Sequence, residues 1–127
     1  MSSNETSPRS LSKVYHVLCA DRRRDVIRLF IETDKAELSV RTLAKEIAAK
    51  EENVRTGQAT GEPYRNVYNA LSQTHLSTLS DAGIIIYDSN RQLVSPGPNF
   101  QMGALFTVLN NSAYQILQKI RSVPEAE

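Results

Sequence analysis

Residues 63–94 constrain this chain more than any other stretch. From Tyr64 the sequence reads YRNVYNALSQTHLSTL, which sets Val67, Leu71 and Leu79 on one stripe of a helix, flanked by Tyr68, His75 and Leu76. Pro63 fits the first turn, where its missing N–H is no loss. Gly83 stands where a left-handed helix stop belongs. Ile84, Ile85, Ile86 and Tyr87 then form a β-branched and aromatic run, a polar turn DSNRQ follows, and Leu93 and Val94 resume an apolar strand. The pattern predicts a long amphipathic helix, a glycine stop, and a hairpin that pairs 84–87 with 92–94.

The residues upstream supply partners for that unit. Residues 1–9 are polar and Ser-rich with nothing to bury, and read as a disordered tail. Leu11, Val14, Tyr15 and Leu18 mark a first helix capped by Ser10 and ending near Ala20. Asp21 is placed as the N-cap of a second, with Val26, Ile27, Phe30 and Ile31 inward. After a polar turn and a one- or two-residue edge strand near Leu38, Ser39 caps a third helix. Leu38 and Leu43 form its hydrophobic staple, and Val40, Leu43, Ala44 and Ile47 its inward stripe. Short, polar outside and with small Ala44 at the crossing point, it has the character of a positioning helix.

The expected fold is therefore mainly α with a small β-hairpin, an α+β winged helix-turn-helix over 10–95. Residues 50–61, KEENVRTGQATG, depart from a tight version, since the usual turn there has three or four residues. They read as an extended loop or a frayed helical extension with a hinge at Gly57, either a solvated connector or an added DNA contact through Arg55, Gln58 or Thr60. Arg22, Arg23 and Arg24 stand in the first turn of the second helix, where the macrodipole disfavours cations. Two readings stay open for them: solvated arginines paired with Asp21 and Asp25, or a phosphate-contacting patch.

Three segments together resemble a known family: LCADRRRDVI at 18–27, LSVRTLAKEIA at 38–48 and HLSTLSDAGIIIYD at 75–88. They look like the small winged-helix domain widespread in haloarchaea and their viruses, described as of unknown function or as candidate transcriptional regulators. The specific part is the His-Leu-x-x-Leu-x-x-Ala-Gly-Ile-x-x-Tyr-Asp portion, and that family also carries an insertion before its recognition helix. The resemblance covers roughly 11–95 and implies an archaeal DNA-binding regulator. Proteins of that setting are usually strongly acidic, and this chain is not. The resemblance brings no catalytic residues with it.

Beyond the break at Pro96, Gly97 and Pro98, a last helix is expected over about 98–122. Met102, Phe106, Leu109, Ala113, Ile116 and Ile120 follow one another by four and three residues, with Leu105 and Leu117 widening the stripe. That seam reads as a homodimerisation element, the other reading being a helix folded back on its own core.

Composition narrows the chemistry. Fifteen Lys and Arg against fourteen Asp and Glu leave a net charge of +1, so any basic surface must come from local segregation. The single Cys19 excludes an intramolecular disulfide and a cysteine zinc site, and reads as a buried thiol. His75 reads as a packed histidine bonded to backbone, and His16 as a polar-face residue. Neither a metalloprotease motif, nor a phosphate loop, nor a nucleophile elbow occurs, so no enzyme, cofactor or small-molecule ligand is expected. No signal-type or membrane-length apolar run occurs, which makes a cytoplasmic protein the expectation.

The leading expectation is sequence-specific binding of double-stranded DNA by a homodimeric transcriptional regulator. Arg65, Asn66, Asn69 and Gln73 turn outward from the apolar stripe and suit base readout. Tyr64 and Ser72 suit phosphate or sugar, while Asn90 and Arg91 stand at the wing tip. Arg22 and Arg23 complete the candidate surface. The rival expectation is a winged-helix docking module without direct DNA contact. RNA binding ranks third for want of interleaved exposed aromatics.

Overall fold

Gly83 takes φ +75°, a conformation that suits glycine, and the chain turns there from helix to sheet. The structure, a computed structural model, describes residues 8–122. Strand β2 (Ile85–Asp88) pairs antiparallel with β3 (Leu93–Pro96), Tyr87 opposite Val94 and Asp88 opposite Leu93. The two-residue β1 (Leu38–Ser39) adds to the other edge of β3, giving the order β1-β3-β2. The hairpin thus lies within two residues of its sequence-based position and is tied to the body through β1.

Helices α1 (Pro8–Val17), α2 (Asp21–Thr33) and α3 (Val40–Glu52) precede it. Most of the expected tail lies outside the described residues, but Pro8 and Arg9 already belong to α1. Val14, Val17 and Leu18 are buried, whereas Tyr15, expected inward, is exposed. Ile31 is likewise turned out, while Val26, Ile27 and Phe30 hold the core. The N-cap of α2 is Ala20, without a side-chain bond, and Asp21 is its first helical residue. Ser39 Oγ accepts from the Thr42 N–H at 3.0 Å, capping α3 as its sequence requires.

Helix α3 continues through Glu52 and ends at Asn53, whose φ of +56° is the left-handed cap. The first residues of the connector extend α3, as the helical-extension reading has it. The rest carries a 3-10 turn (Thr56–Gln58), with Gly57 inside that turn, and Ala59 is buried beneath it.

The long helix begins as α4 (Glu62–Ala70), passes through a π turn (Leu71–His75) and continues as α5 (Leu76–Asp81). The extra residue of the π turn brings Leu76, not His75, onto the face that Leu71 occupies. Val67, Leu71, Leu76 and Leu79 are all buried in consequence. Fully buried Ala44 and Ala48 on α3 leave room for the close crossing with this helix.

Helix α6 (Phe100–Ser122) begins against the body and then leaves it. Phe100 meets Phe30 edge to face at 6.1 Å, and Met102, Ala104 and Phe106 pack on the core. A Cβ on Gly103 would stand 3.0 Å from Ile84 Cγ2 and 3.4 Å from Ile27 Cδ1, so the missing side chain sets how closely α6 crosses. The architecture is mainly α with a small three-stranded sheet, a winged-helix arrangement with an added C-terminal helix.

Candidate nucleic-acid interface

Because Val67, Leu71 and Leu76 point into the core, the opposite side of α4 is fixed outward. Arg65, Asn66, Asn69 and Gln73 are all exposed there, in one row along the helix. Tyr64 is half-buried and packs on Tyr68, ring centroids 5.9 Å apart. Ser72 is half-buried too, and its hydroxyl lies 3.4 Å from Gln92 Oε1, so it faces the wing instead of standing free in the row.

The wing meets this helix through Gln92, which contacts Tyr68 and Ser72. Asp88 Oδ1 accepts from the backbone N–H groups of Asn90 and Arg91, both at 3.1 Å, and folds the tip into an Asx-type turn. The Asn90 and Arg91 side chains are exposed at that tip. Arg55 is exposed at the start of the 3-10 turn, where Gln58 Oε1 lies 3.4 Å from its backbone N–H.

Arg22 and Arg23 are engaged by other groups of the chain. Arg22 forms a two-pronged pair with Glu51, at 2.8 and 2.9 Å. That bond raises the Arg22 pKa, and the guanidinium holds the Glu51 carboxyl below the usual carboxylate range. Arg23 Nη1 donates to Val17 O at 3.1 Å, and Arg24 Nη1 to Leu18 O at 2.6 Å. Arg24 also pairs with Asp21, whereas Asp25 is buried and takes Arg28 and Lys50. Only the Arg24–Asp21 half of the expected pairing is therefore present.

Arg23 also reaches the long helix: its Nε–H donates to His75 Nδ1 at 3.1 Å. His75 is thus bonded to a side chain, not to backbone as expected. Burial first, then the charges of Arg23 and Arg22, hold the imidazole pKa below its ordinary value. Cys19 falls beyond the end of α1 and is exposed instead of buried, its thiol 3.3 Å from Tyr15 O. Among the described residues no group of His, Cys, Asp and Glu is arranged to hold a metal ion, and no helix is long and apolar enough to cross a membrane.

Sequence reasoning missed Gln92. Its side-chain oxygen accepts from Tyr68 Oη at 2.9 Å as well as facing Ser72, and its Nε2 donates to Tyr87 Oη at 2.9 Å and Ser89 O at 2.8 Å. As the last letter of a polar turn it gave no signal, since its partners come from two other elements.

The model of a domain of unknown function, DUF7344, matches residues 15–95, well over half of the chain. The chain belongs to the DUF7344 family. The matched DUF7344 span runs from the end of α1 to within one residue of the end of β3, and α6 lies outside it. No curated protein and no solved structure matches the chain.

Proposed function

We propose that this protein is a sequence-specific double-stranded DNA-binding protein, a homodimeric transcriptional regulator of the haloarchaeal winged-helix type working in the cytoplasm. The observation that carries the reading is the exposed set Arg65, Asn66 and Asn69 on α4 and Gln73 in the π turn, with the wing that carries Asn90 and Arg91 joined to the same helix through Gln92. A helix of this diameter fits the major groove, and these side chains match guanine and adenine edges. Arg91 and Asn90 are the backbone contacts, and Arg55 adds one from the connector. Arg22 and Arg23, held by Glu51, Val17 and His75, serve mainly the protein's own structure.

The test is selection of duplexes from a random pool, followed by anisotropy titration of the recovered site against a scrambled one. Arg65→Ala is expected to cost about 1–3 kcal/mol on the selected site and to relax specificity there. Arg91→Ala is expected to weaken both duplexes alike and to flatten the salt dependence. Unchanged affinity and specificity in a folded Arg65→Ala protein would make the docking-module reading the better account. That second reading draws on the near-neutral charge of the chain and the exposed apolar far half of α6.

A further inference from the structure

We propose that Gln92 is a positioning residue that locks the wing onto the recognition helix, so that Arg91 and Arg65 meet a duplex as one rigid reader; this rests on the DNA-binding reading above. A glutamine amide has two acceptor lone pairs and two N–H donors. Here all four are engaged, by Tyr68 and Ser72 on the helix side and by Tyr87 and Ser89 on the wing side. The Ser89 carbonyl can only accept, so it must face Nε2, and that orients Oε1 toward the two helix hydroxyls. The Gln92 carbonyl meanwhile accepts from the Val40 N–H at 3.0 Å, at the start of the positioning helix. One residue therefore joins α3, α4 and both ends of the wing turn.

The backbone gives an independent sign. Gln92 sits at φ +53°, in the left-handed region. Among the described residues the other non-glycine residues there are Asp34 and Asn53, short-chain helix caps of the kind that tolerate it, whereas a glutamine does not favour it. Glycine would adopt that backbone at no steric cost but could not form the four side-chain bonds. The β1–β3 ladder holds the turn-proximal end of the hairpin, Leu38 to Val94 and Ser39 to Leu93, and leaves only the tip beyond it. Gln92 acts between the end of that ladder and Arg91.

The test uses the full chain and a duplex recovered by selection. Gln92→Gly keeps the favourable turn backbone and removes only the side-chain bonds. It is expected to weaken binding roughly tenfold and to lower the salt slope by about one phosphate contact. Gln92→Glu has the same shape but turns an acceptor toward Ser89 O, and is expected to behave like Gln92→Gly. The decisive measurement is a double-mutant cycle. Arg91→Ala should cost several-fold in the wild type but less than about twofold in Gln92→Gly, while Arg65→Ala costs the same in both. Equal costs of Arg91→Ala in both backgrounds, or wild-type affinity and salt slope in Gln92→Gly, would overturn the proposal. Failure of the wild type to bind any duplex would sink the DNA reading, and hydrogen exchange then judges the clamp. The Asn90 and Arg91 amides should exchange at least about tenfold faster in Gln92→Gly with α4 unchanged. Equal exchange in the two proteins would overturn it.

Discussion

Three consecutive arginines at the start of a helix look unfavourable only while that helix is considered alone. Arg23 and Arg24 bond the carbonyls of Val17 and Leu18, where α1 has just ended and its last C=O groups need donors. A cation misplaced for α2 is well placed for α1, one turn away. His75 extends the same cluster and gives it a pH dependence. To accept from Arg23, Nδ1 must be unprotonated, so the folded protein holds the neutral ring. With its folded pKa lowered, the imidazole takes up a proton in the unfolded chain first. Its effect on stability is therefore constant above about pH 6.5, becomes increasingly unfavourable as pH falls through that value, and levels off once the folded-state value is passed. The thermal midpoint should drop between about pH 7.5 and 5. His75→Asn, whose Oδ1 can accept from Arg23, should remove that part of the drop. A variant with the same pH profile as wild type would show that His75 is not the group responsible.

At the scale of elements, α6 is two different helices in one. Its first two turns are held by Phe100, Met102, Gly103, Phe106 and buried Thr107, so Met102 and Phe106 belong to the chain's own core instead of to a dimer seam. Beyond them Leu109, Ala113, Ile116, Leu117 and Ile120 are exposed. Gly103 is the pivot. Gly103→Leu should push α6 away from Ile84 and Ile27 and destabilise the protein by about 1–3 kcal/mol, with Gly103→Ala costing less. Urea midpoints measure both. A Leu variant as stable as wild type would mean that α6 is not held at this crossing. Removing everything past Pro96 would also strip Phe100 and Phe106 from the core, so truncation is a poor probe of assembly.

For the whole molecule, the exposed half of α6 is the feature a monomer does not need. From Phe100 to Gln118 the helix has no charged residue, and its far half presents apolar side chains more than half exposed, Ile120 at 62%. A contiguous face of this kind marks an association surface. In the proposed homodimer two copies cover it for each other, which also sets the distance between two DNA half-sites. The full chain with Leu109→Glu and Ile116→Glu changes residues exposed in the monomer, so the fold should persist. Sedimentation should show a dimer for wild type and a monomer for the double variant. A monomeric wild type, or an equally dimeric variant, would remove α6 as the dimer element.

Periodicity and punctuation made much of this legible beforehand. Val67, Leu71 and Leu79 gave the inward stripe, Ser39 the cap of α3, and Gly83 with its β-branched run the hairpin. These are local signals: each depends on residues within a turn or two of chain, where sterics and hydrogen-bond geometry act alone. What the tertiary structure decided lies between elements distant in sequence. The π turn that puts Leu76 inward, the exposure of Tyr15, Ile31 and Cys19, the α1 carbonyls that receive Arg23 and Arg24, and the division of α6 at Thr107 each depend on which surface arrives opposite. Gln92 is the clearest case. Its four side-chain partners lie on α4, the π turn, β2 and the wing turn, and only once packing brings these together does its amide have anything to bond.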